Sequence, residues 1–427
     1  MRYEISAIWR KARTFAGMSW KARQDRLARL TLSAAKLPFY LLYYPAGWII
    51  ARRGFRVYSN HLLLRHIGHL AGEPAYFIKA NRAGLQSAHT GIILVPPGSH
   101  ISNRALLDYW ARHPQMWVVT NPFAVFVLWP LTWMNCVNIY HLKFPDENGR
   151  PLAGWPASDH ALKRYHETNN DLPVLTITPD DEVRGRKLLD AIGVPAHAWW
   201  VCLHVRHSPS WQGMGDETDM RDADPSTYMP AVEAIVERGG WVFRLGNPGM
   251  PPLPEIDRVI DYANSASRAD WMDLFLIGGA RFFLGCDSGP MVAASAFETP
   301  VVAANYIPMG HGLLLASDIY VPKLYRSIRT GDLLNFDDVL SSDKRDLTSF
   351  AAFNSQELEW VNNTSEEILA VTEEMMDHLD GTLVYSKEDS NRQALYKSMF
   401  RSNMTGYTFG GLSRVGRDFL KKYEPLL

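Results

Sequence analysis

Three stretches of the chain carry residues able to hold an anion. In Cys202-Leu-His-Val-Arg206, read as a strand, His204 and Arg206 point to one side. An arginine there offers a planar fork that fits phosphate oxygens. Its other use is an ion pair with a nearby acid such as Asp216, Glu217 or Asp219. Phe243-Arg-Leu-Gly246 places Arg244 at the end of a second strand. In Gly285-Cys-Asp-Ser-Gly-Pro290 a strand runs into a helix, so the backbone N–H groups around Ser288 and Gly289 face outward at the positive end of the helix dipole. Gly289 allows close approach and the Ser288 hydroxyl can donate. Asp287 suits capping, orienting Arg206, or accepting from a sugar hydroxyl. Each stretch alone is common, but three of them at the ends of strands in one sheet imply a diphosphate clamp of His204, Arg206, Arg244, Asp287, Ser288 and Gly289.

The elements that must position these groups alternate regularly. Strands are expected over 199–205, 241–245, 259–262, 281–285 and 300–304, and helices over 227–237, 269–277 and 291–297. Strands joined by helical crossovers form a parallel sheet covered on both faces, which binds ligands at its carboxyl edge. Upstream, strands are expected over 75–79, 91–95, 116–120 and 174–178, and helices over 103–112 and 179–192. The apolar run 123–137 reads as a buried helix pair or loop core, and 149–156 has the turn chemistry of a linker or surface loop. Thr364-Ser-Glu-Glu367 is a capping box opening a helix with Ile368, Val371, Met375 and Leu379 on one face.

At 427 residues the chain is too long for one ordinary core. Its three cysteines, Cys136, Cys202 and Cys286, lie far apart without metal-ligand spacing, which suits a reducing compartment. The net charge of -1 hides an asymmetry: Met1 to Gly54 holds eleven Lys and Arg against two acids, Glu4 and Asp25. Within it the uncharged run 37–51, interrupted by Pro38 and Pro45, is short for a bilayer span. Such a run either lies on an anionic membrane surface or docks on the protein's own core. Nucleic acid is not an expected partner, because outside this segment the chain is acidic.

The segment from Leu284 to Ala304 resembles the donor-binding loop, helix and strand of bacterial heptosyltransferase-like enzymes of the GT-B fold. The Cys202-Leu-His-Val-Arg206 strand is similar to the His-x-Arg motif of fucosyltransferases, rhizobial nodulation enzymes included. More closely, the chain resembles a bacterial glycosyltransferase family of surface-polysaccharide loci, through Ile67-Gly-His-Leu70, Asn103 to Leu107, Arg221-Asp222, Tyr228 and Arg244 to Gly246. It departs from that pattern with His66 in place of an arginine and Asp222 in place of a frequent asparagine.

The resemblance implies an α/β protein of GT-B type, with two Rossmann-like domains facing across a cleft and an extra basic amphipathic N-terminal segment. The expected divisions are that segment (1–58), an acceptor domain (59–195), a donor domain (196–350) and C-terminal helices packing back on the body (351–427). It also implies sugar transfer from a nucleotide-diphosphate sugar, as co-substrate, to a glycan or lipid-linked glycan acceptor, with no cofactor and no metal. The expected location is cytoplasmic, peripheral to the inner face of the plasma membrane. Arg221, Asp222, Glu298 and Asn305 are expected near nucleotide or sugar, with His311 on the same strand end as Asn305. Asp222-Ala-Asp224 matches a metal signature of the other major glycosyltransferase fold, but reads here as a helix start. The heptosyltransferase-like pattern places the general base after a glycine in the first N-terminal loop, which designates His69, then Glu73. A sugar-nucleotide epimerase of the same fold and a membrane-associated nucleotide binder without catalysis are the alternatives.

Overall fold

The computed structural model describes residues 38, 40–85, 89–145, 151–153, 165, 173–206, 219–313, 315–400 and 412–427. The basic stretch 1–37, most of the expected linker 149–156, and Asp216 and Glu217 lie outside the described residues.

Helix α1 (residues 40–52) leads into β1 (Phe55–Val57), followed by α2 (Ile67–Arg82), β2 (Thr90–Leu94), α3 (Arg104–Arg112), β3 (Met116–Val119) and α4 (Pro122–Leu128). The strands pair in parallel in the order β1-β2-β3. Asn103 caps α3 by accepting from the Leu106 N–H at 2.7 Å, and Asn121 caps α4 in the same way. The run 75–79, expected as a strand, lies inside α2. Ala75, Phe77, Ile78, Lys79 and Ala80 are all buried, because α2 is enclosed on most sides. A short apolar run cannot by itself distinguish such a helix from a strand.

A short antiparallel pair, β4 (Lys143–Pro145) and β5 (Pro151–Ala153), precedes α5 (Pro179–Ala191). The expected strand 174–178 is an extended connection, and its Leu175 N–H donates to the Ala296 carbonyl. Helix α5 opens as expected, with Thr178 as cap and Asp180, Asp181 and Glu182 in its first turn.

The second sheet is built from β6 (Trp200–His204), α6 (Met229–Glu237), β7 (Trp241–Arg244), β8 (Val259–Ile260), α7 (Asp270–Gly279), β9 (Phe282–Gly285), α8 (Gly289–Ala296), β10 (Val301–Tyr306) and β11 (Ile319–Pro322). Next come β12 (Leu324–Ser327), α9 (Phe336–Leu340), α10 (Phe350–Ser355), β13 (Leu358–Val361), α11 (Ser365–Leu379), α12 (Lys387–Ser398), β14 (Arg414–Val415) and α13 (Arg417–Lys422). The sheet has seven parallel strands in the order β14-β11-β10-β9-β6-β7-β8, while β12 and β13 pair separately. Read from β6, strands one to six lie in the order 6-5-4-1-2-3 of a doubly wound nucleotide-binding sheet. The order in which strands are added reverses between β6 and β9, which opens a crevice at their carboxyl ends. The expected capping box of Thr364 and Glu367 is present and starts α11, which packs on β10 and β11.

One core cluster runs through both halves, from Leu70, Ile78 and Trp110 to Phe275, Phe283 and Val302. A second, smaller cluster holds Val57, Ile92, Leu94, Val119, Val125, Leu131, Met134 and Val137, with Tyr40, Tyr43, Ile50 and Ala51 of α1 against it. The run 123–137 is therefore not wholly buried: Phe123, Phe126 and Trp129 are exposed. A helix of two turns sends only one side into so small a core. No helix among the described residues is long and apolar enough to cross a membrane.

Candidate functional site

Two helix starts meet at the switch point. A Cβ on Gly68 of α2 would lie 3.1 Å from the Gly289 Cα, and one on Gly289 would lie 2.9 Å from the Gly68 nitrogen. Only glycines allow the first turns of α2 and α8 to approach this closely. His204 of β6 is in register with Gly285 of β9, so the strand that delivers Arg206 and the strand that delivers Asp287 and Ser288 end side by side.

The charged groups form a balanced set. Arg206 donates its backbone N–H to the Cys286 sulfur at 3.1 Å and its Nε to Asp222 Oδ1 at 3.2 Å. Arg221 Nη1 lies 3.7 Å from Asp287 Oδ2. Burial, then the neighbouring Arg221, lowers the affinity of Arg206 for its proton. Burial raises the Asp287 carboxyl, against the pull of Arg221 and Arg206. The ion pair that competes with anion binding thus exists, with Asp222 as the partner of Arg206.

Ser288 occupies the N-cap position of α8 without capping it, and its buried hydroxyl has no hydrogen-bond partner among the described residues. The same holds for His204 Nδ1. Burial, reinforced by Arg244 and Arg206, holds the His204 imidazole down to about 4, so it is neutral at pH 7. An uncapped helix start, an orphaned hydroxyl and two arginines together suit a bound oxyanion.

On the facing side, His69 Nδ1 is 2.6 Å from Glu73 Oε1. Glu73 is buried and also accepts from Asn60 Nδ2 at 2.8 Å and from the Tyr140 hydroxyl. Burial, then the Glu73 charge, drives the Tyr140 phenol strongly upward, so it remains a donor. A neutral His69 that donates Nδ1–H to this carboxylate has Nε2 as its acceptor atom. Both candidate base residues belong to this one network.

Three expected ligands are engaged elsewhere. Arg244 is buried, donating Nη1 to Asp261 Oδ1 at 2.8 Å and Nη2 to the Pro251 carbonyl at 3.2 Å. Asn305 exchanges hydrogen bonds with Asn363 and donates to the Tyr228 hydroxyl at 3.2 Å, all in the core. Glu298 pairs with Lys79 of α2, burying an ion pair beyond the far end of α8. His311 packs near Arg345 and Asp346 instead of lining the strand ends of β6 and β9. Asp224 caps the 3-10 turn Pro225–Tyr228, the helix-start role expected of it, while Asp222 pairs with Arg206. Among the described residues no group of three or more His, Cys, Asp and Glu could hold a metal ion.

Sequence reasoning gave no site role to Lys323, His66 or Asp273. Lys323 follows β11, is fully buried, and donates to the Asp222 carbonyl at 2.8 Å; burial pulls its ammonium down to about 8. Its signal in the sequence is a lysine directly after the apolar run Ile319 to Pro322. His66, the N-cap of α2, faces His69, Arg221, Arg65 and Arg206, and burial with these neighbours lowers it. Asp273 lies in the first turn of α7, and burial pushes it up to about 7 despite Arg268 at 3.9 Å. A polar cavity of about 390 Å³ is lined by none of these groups; in it Arg392 pairs with Asp389 and Arg417 with Asp418.

No protein-family model matches the chain, and no curated protein matches it. Among solved structures it is similar to the family 9 glycosyl transferase of Veillonella parvula DSM 2008, at 12% identity over 58% of this chain and 79% of that one, with a TM-score of 0.34. It is similar to the iron-containing dodecameric glycosyltransferase TibC of enterotoxigenic E. coli H10407, at 12% identity over 77% and 76%, with a TM-score of 0.35. A third is the E. coli ADP-heptose lps heptosyltransferase II, at 12% identity over 58% and 83%, with a TM-score of 0.33. Likenesses this distant assign neither donor nor acceptor.

Proposed function

We propose that the protein transfers a glycosyl group from a nucleoside diphosphate sugar to a hydroxyl of a glycan or lipid-linked glycan. The observation that carries this reading is the cluster at the β6/β9 switch point. There Arg206 and Arg221, each balanced by one aspartate, stand beside the uncapped start of α8 and the unpartnered Ser288 hydroxyl. A diphosphate seated there draws both arginines from Asp222 and Asp287 and accepts from Ser288 and the α8 N–H groups. Charge that builds on the leaving diphosphate during transfer meets preorganised donors, so the proposed reaction runs without a divalent ion. His69 removes the acceptor proton through Nε2, and Glu73 orients the ring and stabilises the imidazolium. Arg244, Glu298 and Asn305 maintain the fold in this reading, and Asp222 and Asp287 position the arginines.

A thermal-shift screen against GDP, UDP, ADP, CMP and dTDP tests the donor site. One nucleoside diphosphate should raise the melting temperature of the wild type and leave Arg206→Ala unmoved. Equal shifts in both proteins, or none with any nucleotide, would overturn the reading. Transfer predicts release of free nucleoside diphosphate only with an acceptor present and undiminished by EDTA. An epimerase releases none.

A further inference from the structure

The molecule has a second surface feature that sugar transfer does not require. Helix α1 docks through Tyr40, Tyr43, Gly47, Ile50 and Ala51, and its outward side is not polar: Leu41 is 74% and Leu42 73% exposed, with Trp48 and Ile49 beside them. Helix α4, on the same small core, buries Val125 and exposes Phe123 at 76% and Phe126 at 78%. The two helices share a support, since Gly47 of α1 packs on Leu131, just after α4, and the Tyr40 hydroxyl donates to the Trp133 carbonyl.

Charge is distributed unusually around this face. No Lys, Arg, Asp or Glu occurs between Arg112 and Lys143, so α4 and its flanks offer water nothing ionised. The chain around α1 is strongly basic, with Arg52 and Arg53 at its end and nine Lys and Arg against two acids before it. Large exposed apolar side chains in a water-facing helix are costly unless something covers them. Aromatic and leucine side chains bordered by cations fit the headgroup boundary of an anionic bilayer.

We propose that the outward faces of α1 and α4 form a docking surface for an anionic lipid bilayer, with Leu41, Leu42, Phe123 and Phe126 entering the boundary and Arg52 and Arg53 meeting acidic headgroups. The surface goes beyond the transfer reaction and does not depend on it. Because α4 starts directly after the carboxyl end of β3, the docked face borders the strand-end side of the smaller sheet.

The test is cosedimentation of the full chain with vesicles of phosphatidylglycerol and phosphatidylcholine, without nucleotide, so that failure of the donor site leaves the result unaffected. Wild type should pellet with these vesicles and remain in solution with phosphatidylcholine alone. Phe123→Ser/Phe126→Ser and Leu41→Ser/Leu42→Ser should each weaken partitioning by about tenfold or more. Unchanged melting temperatures would show that these variants fold. Wild type that ignores anionic vesicles, or variants that pellet as well as wild type, would overturn the proposal. Light scattering that shows a wild-type dimer turned monomeric by these substitutions would overturn it too, since a second copy would then cover the face.

Discussion

The two parallel sheets present different chemistry at the surface because they are covered to different extents. The seven-stranded sheet has helices on both faces, and its charged residues collect where its strands end, as Arg206, Asp222, Arg221 and Asp287. The three-stranded sheet rests on a core of eight buried hydrophobics, so the helices above it, α1 and α4, keep apolar sides outward. A wide sheet concentrates polarity in its crevice. A narrow one leaves apolar surface for another body to cover.

The comparison breaks first at the His69 network, where in the proposed reaction the smaller half supplies the base to the larger. His69→Ala should lower kcat by about 10² to 10⁴ while nucleotide binding persists, and Glu73→Gln should follow it in part. Turnover equal to wild type in His69→Ala would remove the base. The next largest effect separates two arginines of the larger sheet. Arg244→Ala should cost about 2 kcal/mol of stability, because Asp261 loses its arginine while keeping Asn264 and the Leu253 N–H, yet retain nucleotide affinity in calorimetry. Loss of affinity at unchanged stability would return Arg244 to the clamp.

Lys323 gives a smaller effect with a pH signature. A bound diphosphate favours the protonated amine, so affinity should hold below about 8 and decline above it. Lys323→Met should lose roughly tenfold in affinity and flatten that decline. Without ligand, between about 8 and the ordinary lysine value of 10.5, the unfolded chain holds a proton that the folded chain has released. Stability should therefore rise with pH across that window, and denaturant titrations of wild type against Lys323→Met would show it. The smallest effect belongs to the apolar face. Phe126→Ser should change stability in solution by less than about 0.5 kcal/mol, because the ring is already in water.

Local sequence reported most about the larger half. The strands around Leu203, Phe243 and Phe283 and the glycine before Cys286 were legible because an apolar run followed by turn residues and a helix repeats there. Ala75 to Lys79 was not legible, since a helix buried on most sides has the composition of a strand. Of the expected clamp, His204, Arg206, Asp287, Ser288 and Gly289 do gather at one edge, because they end adjacent strands. Arg244 also ends a strand, yet turns inward to Asp261. Strand alternation gives the side to which a side chain points, but its ion-pair partner lies seventeen residues farther along the chain.

The sequence by itself determined residue types, element periods and the basic N-terminal stretch, which depend on neighbours a few positions apart. Tertiary structure alone decided that Gly68 meets Gly289, that Lys323 lies under Asp222, that Glu298 is consumed by Lys79, and that Phe123 and Phe126 face outward. Each depends on which elements become neighbours, and that follows from how the two cores close, over separations that no local pattern encodes.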